Sequence, residues 1–198
     1  MRPAIRLLAF LMAAVCVEQA NAGSKIDLRT KAGVDAVKGE WRFTNVKLVP
    51  VAAKDAKGQP TTTYTIDPKA GTKNFDVSSW EVCDPTTLGR PRGNDQVSFG
   101  WYRITVTIPA EAAGKNVWFE TTVDDYGEIW VDGQLPRNVG DTGGPIVAGF
   151  NAPNRLLLKN AEPGKVVSIA IFAINGPISA LPGNRLFLRE TFLELTDR

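Results

Sequence analysis

From Phe99 to Gly133 apolar and polar side chains alternate with a period of two, and this constrains the fold more than any other feature. Tyr102, Ile104, Val106 and Ile108 alternate with Arg103, Thr105 and Thr107, so a strand here has one apolar face and one polar face. Pro109 ends the run, because proline cannot donate to a ladder. Gly114-Lys115-Asn116 is a turn signal, after which Val117, Phe119, Thr121 and Val123 alternate with Trp118, Glu120 and Thr122. Asp124-Asp125-Tyr126-Gly127 interrupts the pattern, Ile129 and Val131 resume it, and Asp132-Gly133 is a strong hairpin dipeptide. Three strands joined by short turns are therefore expected, with Tyr102, Ile104 and Val106 facing the core and Trp101 and Arg103 on the opposite face.

The flanking sequence fits the same class. Val166 to Ile174 is almost continuously apolar, as expected of a central strand buried on both faces. Thr61 to Ile66 is a β-branched strand following the turn Asp55-Ala56-Lys57-Gly58. Phe43, Val46, Leu48 and Val51 are candidate core positions, and Phe75 to Trp80 is a short segment that lays Trp80 against the sheet. Arg155 to Lys159 is a short strand. Arg185 to Leu195 is the last strand, and its apolar parity changes around Arg189-Glu190, which calls for a bulge. Two long loops are expected, at Cys83 to Asn94 and at Gln134 to Asn154. Residues 23–40 have little pattern and are expected to be an extended lead-in. No helix-period segment of ordinary length follows residue 22, so the expected class is an all-β, antiparallel β-sandwich.

The N-terminus has the marks of a secretory leader. Arg2 and Arg6 precede an apolar run from Leu7 to Val17, and Ala20-Asn21-Ala22 is a small-x-small cleavage site. Residues 1–22 are expected to be removed, leaving 23–198 as one domain in the periplasm or outside the cell. Val15 stands before Cys16 where a lipoprotein signal needs a small residue. Only Cys83 then remains, so the fold has no internal disulfide. The chain has no histidine, which removes Ser-His-Asp and Cys-His catalysis and histidine zinc ligands. Carboxylate-pair chemistry stays open. A formal net charge of +2 gives no electrostatic case for nucleic acid or an anionic membrane.

The run WYRITVTIP followed by DDYGEIWVDG resembles the jelly-roll sugar-binding domain at the front of family-two glycoside hydrolases. With Asn151-Ala152-Pro153-Asn154-Arg155 and Ile174-Asn175-Gly176-Pro177-Ile178-Ser179, the likeness is closer to the galactose-binding-like domain attached to some secreted gluconolactonase-type proteins. It covers roughly Asp76 to the C-terminus. The resemblance implies a jelly-roll, galactose-binding-like topology and carbohydrate as the ligand. No second, catalytic domain accompanies these motifs in the chain.

Sugar recognition needs flat apolar rings and planar polar groups. Trp101, Tyr126 and Trp130 supply rings, and Arg103, Asp124, Asp125 and Asn175 supply polar groups. The competing roles are structural: a buried Trp101, an Arg103 ion pair with Glu120 or Glu190, a turn closed by Asp124-Asp125, and a loop cap at Asn175. A structural calcium ion on Asp124 and Asp125 is a third option, although the acidic set to Asp132 lacks the alternating Asp/Asn spacing of a calcium loop. The expected function is an exported, noncatalytic carbohydrate-binding module beside a separately encoded carbohydrate-active enzyme. The alternatives are a hydrolase of glycosides or sugar lactones, and a protein-interaction β-sandwich. Mass spectrometry of protein recovered from its native host is expected to show Gly23 as the first residue; an intact Met1 or a lipid on Cys16 would overturn export with cleavage after Ala22.

Overall fold

A computed structural model describes residues 23–93, 97–136, 144, 146–148, 152–175 and 185–198. The leader, the turn Pro182-Gly183-Asn184, Asn151, and Gly176 to Ser179 lie outside the described residues. Strands run in the order β1 (Ser24–Asp27), β2 (Trp41–Asn45), β3 (Lys47–Lys54), β4 (Pro60–Asp67), β5 (Glu81–Cys83), β6 (Ser98–Thr107), β7 (Lys115–Val123), β8 (Tyr126–Val131), β9 (Ile146–Ala148), β10 (Pro153–Leu157), β11 (Val166–Asn175) and β12 (Leu188–Asp197). One short helix, α1 (Lys31–Ala36), lies between β1 and β2. A four-stranded sheet, β1-β12-β7-β10, packs on a six-stranded sheet, β5-β2-β6-β11-β8-β9, and β3 pairs only with β4. Every strand pairing is antiparallel. The fold is an antiparallel β-sandwich.

The alternation places the faces as expected. Tyr102, Ile104 and Val106 lie in the inter-sheet core with Phe119, Ile129, Ile169, Ile171 and Leu193. β11 runs between β6 and β8, which explains its unbroken apolar sequence. The parity change in β12 is a register shift against β7 between Leu188 and Thr191. Asp132 and Gly133 both take positive φ, 48° and 82°, and Val131 and Gln134 exchange backbone hydrogen bonds of 2.8 and 3.0 Å across them. That is the two-residue hairpin turn whose twist matches the strands.

The six-stranded sheet also carries a second apolar layer on its outer face. Trp101, Ala170 and Phe172 project outward there and are covered by Val46, Ala70 and Trp80. The cover is the irregular segment 68–80, with Ile66 at the end of β4 packed beside it. Phe75 and Trp80 pack within it with their rings tilted by 50° and their centres 5.6 Å apart. Gly71 is obligatory in this cover, because a Cβ there would lie 2.7 Å from the Trp130 ring.

Two expectations are corrected. Residues 23–40 are more than an extended lead-in: β1 pairs with β12, Thr30 caps α1 by accepting from the Gly33 N–H at 3.0 Å, and Leu28, Val34 and Val37 enter the core. Trp41 ties this segment down by donating its Nε1–H to the Leu28 carbonyl at 2.9 Å. Leu48 and Val51 are not core. They stand 48% and 39% exposed on the β3–β4 ribbon, while Phe43 and Val46 are buried. The sequence pattern of β3 resembles a buried strand, but among the described residues no second layer meets it. Among the described residues no helix is long and apolar enough to cross a membrane. Replacing Ile104 by Ala is expected to cost about 2–5 kcal/mol and lower the melting temperature by roughly 5–15 °C, whereas Leu48→Ala should stay within about 2 °C. Equal shifts in a thermal melt would contradict the exposed position of β3.

Candidate functional site

Trp101 and Arg103 share a face, as their spacing requires, but that face is covered. Trp101 is 1% exposed and donates Nε1–H to the Pro68 carbonyl at 2.9 Å. Its ring packs against Phe172 and Trp130, with centres 5.0 and 6.2 Å away. Arg103 is 5% exposed. Its guanidinium donates to the carbonyls of Ala70 (2.8 Å), Thr72 (2.6 Å) and Lys73 (2.7 Å), and to Ser168 Oγ (2.6 Å). Among the described residues no carboxylate pairs with it, and Glu120 instead binds Arg155. Burial pulls the guanidinium below its ordinary pKa, yet arginine stays charged. Arg103 therefore satisfies the carbonyls of a segment that has no strand partner of its own.

Asp124 and Asn175 meet at one end of the sandwich. Asn175 Nδ2 donates to Asp124 Oδ2 at 3.1 Å and to the Arg185 carbonyl at 2.8 Å. Asp124 Oδ1 is buried with no hydrogen-bond partner among the described residues. Burial, followed by the neighbouring Asp125 charge, raises the Asp124 carboxyl above its ordinary pKa, opposed by Arg189 and the Asn175 bond. Asp125 turns the chain with φ of 69°. Tyr126 points along the outer face of β8, where its hydroxyl donates to Glu128 Oε1 at 2.7 Å, and Trp130 Nε1–H donates to Glu128 Oε2 at 3.0 Å. Glu128 is absent from the sequence-derived set, although its i, i+2, i+4 spacing with Tyr126 and Trp130 marks it. The six expected residues thus divide between two places, an outer-face layer and a loop end. Among the described residues no three of His, Cys, Asp or Glu come together to hold a metal ion.

A cleft lies elsewhere, beside β10, the edge of the four-stranded sheet. Its volume is about 530 Å³, and Trp118, Val131, Asp132, Gln134, Arg155, Leu157 and Lys159 line it. This is within the usual range for small-molecule sites. One wall is the hairpin turn after β8. Asp132 is held there by Lys73 Nζ at 3.3 Å and by the Ser168 N–H at 3.1 Å. The facing wall is Trp118, whose Nε1–H donates to Thr196 Oγ1 at 3.3 Å. The Arg155 guanidinium lies 4.7 Å from the centre of the Trp118 ring and bridges Glu120 (2.7 Å) and Glu194 (2.5 Å). Lys159 brings an ammonium that has no partner among the described residues. Its spacing from Trp118 in the sequence is 41 positions, so only the pairing of Leu157 with Trp118 across β10 and β7 brings these groups together.

The wall at Asp132 rests on the buried clamp. Arg103 holds the Lys73 carbonyl and Ser168 Oγ, while the Lys73 ammonium and the Ser168 N–H hold Asp132. The closed circuit Arg103–Lys73–Asp132–Ser168 thus connects the buried clamp to the cleft. A Cβ on Gly133 would lie 2.8 Å from the Lys73 nitrogen, so the turn sits directly against the covering segment.

No family model matches the chain, and no curated protein matches it in sequence. Solved structures match in fold. A calcium-binding mutant of Bacteroides uniformis β-glucuronidase 2 aligns with a TM-score of 0.55 at 15% identity, over 88% of this chain and 18% of that one. A glycosyl hydrolase family 2 member from Bacteroides cellulosilyticus aligns at 0.55 and 14% identity, over 87% and 20%. A Bacteroides uniformis β-glucuronidase aligns at 0.53 and 16% identity, over 88% and 18%. The chain spans about a fifth of the length of these enzymes, and the likeness is one of fold.

Replacing Arg103 by Met should lower stability by about 2–4 kcal/mol, because four acceptors lose a charged donor. Limited proteolysis should then cut within residues 66–80, and Arg103→Lys should restore only part of the loss. Wild-type resistance in the Met variant would show that the clamp is dispensable. At Asp124 the sign runs the other way. An acid whose pKa is raised by folding opposes folding when ionised, so its penalty is present above the folded pKa and fades as the pH falls. Asp124→Asn should be more stable than the parent at pH 7, with the gap closing as the pH approaches about 4; a gap independent of pH would contradict this.

Proposed function

We propose that this chain is an exported, noncatalytic carbohydrate-binding module that takes its ligand in the cleft beside β10. The observation that carries the reading is the cleft itself. A tryptophan ring, a fixed carboxylate, an amide and two cations converge on one concavity of about 530 Å³. Such a combination suits a pyranose: the ring meets the C–H face while Asp132, Gln134, Arg155 and Lys159 exchange hydrogen bonds with hydroxyls. The fold likeness to part of enzymes named as β-glucuronidases and as a family 2 glycosyl hydrolase supports a carbohydrate setting and a galactose-binding-like, jelly-roll topology. The chain matches only a fifth of those enzymes, which supports a module acting beside a separately encoded carbohydrate-active enzyme.

A noncatalytic role is supported by the donor set. Glycoside hydrolysis needs two carboxyl groups facing each other across the scissile bond, roughly 5–9.5 Å apart. Asp132 is the one acid among the described cleft residues, and Lys73 and the Ser168 N–H already hold it. The chain has no histidine to replace the missing partner.

An open sugar site of this kind should bind with dissociation constants from about micromolar to millimolar, since each hydroxyl exchanges water bonds for protein bonds at a net ~1 kcal/mol. Titration of the chain from Gly23 with a glycan panel tests this. Trp118→Ala should weaken binding at least about tenfold, while Tyr126→Phe should leave it unchanged. Loss of binding on Tyr126→Phe or on Asp125→Ala instead would move the site to the β7–β8 loop. Turnover of aryl glycosides or gluconolactone that vanishes on replacing one Asp or Glu would favour a hydrolase. No binding of any glycan at millimolar concentration would leave a protein-interaction sandwich.

A further inference from the structure

The β3–β4 ribbon has no place in the sugar-binding reading. It forms a sheet of its own, and every residue on it is exposed or half-buried. It carries four of the seven large hydrophobic side chains exposed among the described residues: Leu48, Val49, Val51 and Tyr64, the last 64% exposed. A two-stranded ribbon with both faces in water is only marginally stable, and an open strand edge invites another strand.

The two edges differ. Pro50 lies opposite Tyr64 and Pro60 opposite Lys54, positions of the same parity along the ribbon. A proline inside a paired ribbon keeps its missing N–H on the solvent side. Residues of this parity therefore turn their backbone groups outward. On β3 the outward positions are Leu48, Pro50 and Ala52, so the middle donor is absent and Lys47 and Lys54 flank the run. On β4 the outward positions between Pro60 and Pro68 are Thr62, Tyr64 and Ile66, all able to donate, with no charge from Pro60 to Ile66. One edge is blunted and the other is open.

We propose that β4 pairs antiparallel with β4 of a second copy, giving a four-stranded β3-β4-β4-β3 sheet across a two-fold axis at Tyr64. The β4 sequence is complementary to itself in this register. Tyr64 faces Tyr64, Thr62 faces Ile66, Thr63 faces Thr65, and Pro60 faces Pro68, so prolines bound the pairing at both ends. Asp67 faces Thr61 and no like charges oppose one another. The pairing follows the isologous rule that each residue pair occurs twice about the axis. Edge pairing alone covers less than the ~800 Å² per partner of a standard interface, so the dimer should be weak and depend on concentration.

Sedimentation of the chain from Gly23 across a concentration series should show a monomer–dimer equilibrium. Tyr64→Lys, which sets two ammonium groups beside the axis, should abolish the dimer, and so should Thr62→Pro. Val49→Lys adds the same charge on β3, away from the axis, and should leave dimerisation unchanged. Tyr64→Cys should crosslink under mild oxidation, since directly opposed Cα atoms lie about 5.5 Å apart, within disulfide reach; Thr61→Cys should not. A parent that stays monomeric to about 1 mM (a concentration covering weak complexes), a dimer that Val49→Lys breaks while Tyr64→Lys does not, or crosslinking through Thr61→Cys would overturn the proposal. Glycan binding by the monomeric variants is read separately, so failure here leaves the sugar site untouched.

Discussion

The structure depends on how the outer face of β6 and β11 is kept dry. β11 is apolar on two faces and β6 adds Trp101 to the outer one, while the four-stranded sheet covers only the inner face. The other face is closed by residues 68–80, a segment with no ladder among the described residues to receive its carbonyls. Buried backbone acceptors need donors, and Arg103 supplies them to Ala70, Thr72 and Lys73 at once. A planar fork with five N–H groups can span several carbonyls in a way that an ammonium cannot. Trp101 adds its indole N–H to Pro68 while its ring fills the layer beneath.

That clamp reaches the candidate site. Lys73 faces Arg103 with its carbonyl and Asp132 with its ammonium, and Ser168 does the same with hydroxyl and backbone N–H. The hairpin turn after β8 is thereby fixed against the cover, and it forms one wall of the cleft. The opposite wall is fixed independently by Arg155 between Glu120 and Glu194. Rigid walls suit a site that binds without closing over its ligand, because little ordering entropy is then lost on binding. The fold achieves this without a disulfide. Cys83 is buried, and burial raises its thiol to about 11, so it stays a protonated, unreactive thiol at neutral pH.

The ribbon follows the opposite logic. β3 and β4 leave the sandwich, and apart from Ile66, which packs against the outer layer, their large apolar side chains stand exposed. Among the described residues nothing packs over Leu48, Val49 and Val51 of β3. In the proposed four-stranded sheet β4 becomes an inner strand and the proline-blunted β3 an outer one.

The sequence by itself left β1 in a lead-in and β9 in a loop, but it determined where β6, β7, β8, β11 and β12 run, which face of β6 and β7 is apolar, where β12 must bulge, and where Asp132-Gly133 must turn. These follow from local rules: side chains alternate along a strand, and few residues tolerate positive φ. It also placed Trp101 and Arg103 together on one face. Whether that face meets water was decided only by the tertiary structure, since the covering segment lies some 30 residues away and has no period of its own. The same limit applies to the cleft. Trp118 stands on the polar side of its strand, and only the pairing with β10 brings it beside Arg155, Lys159 and Asp132. Leu48 and Val51 show the converse: a pattern that specifies a strand does not specify a second layer. Local periodicity fixes orientation, but burial belongs to whatever distant segment packs on top, and a chain read residue by residue does not contain that contact.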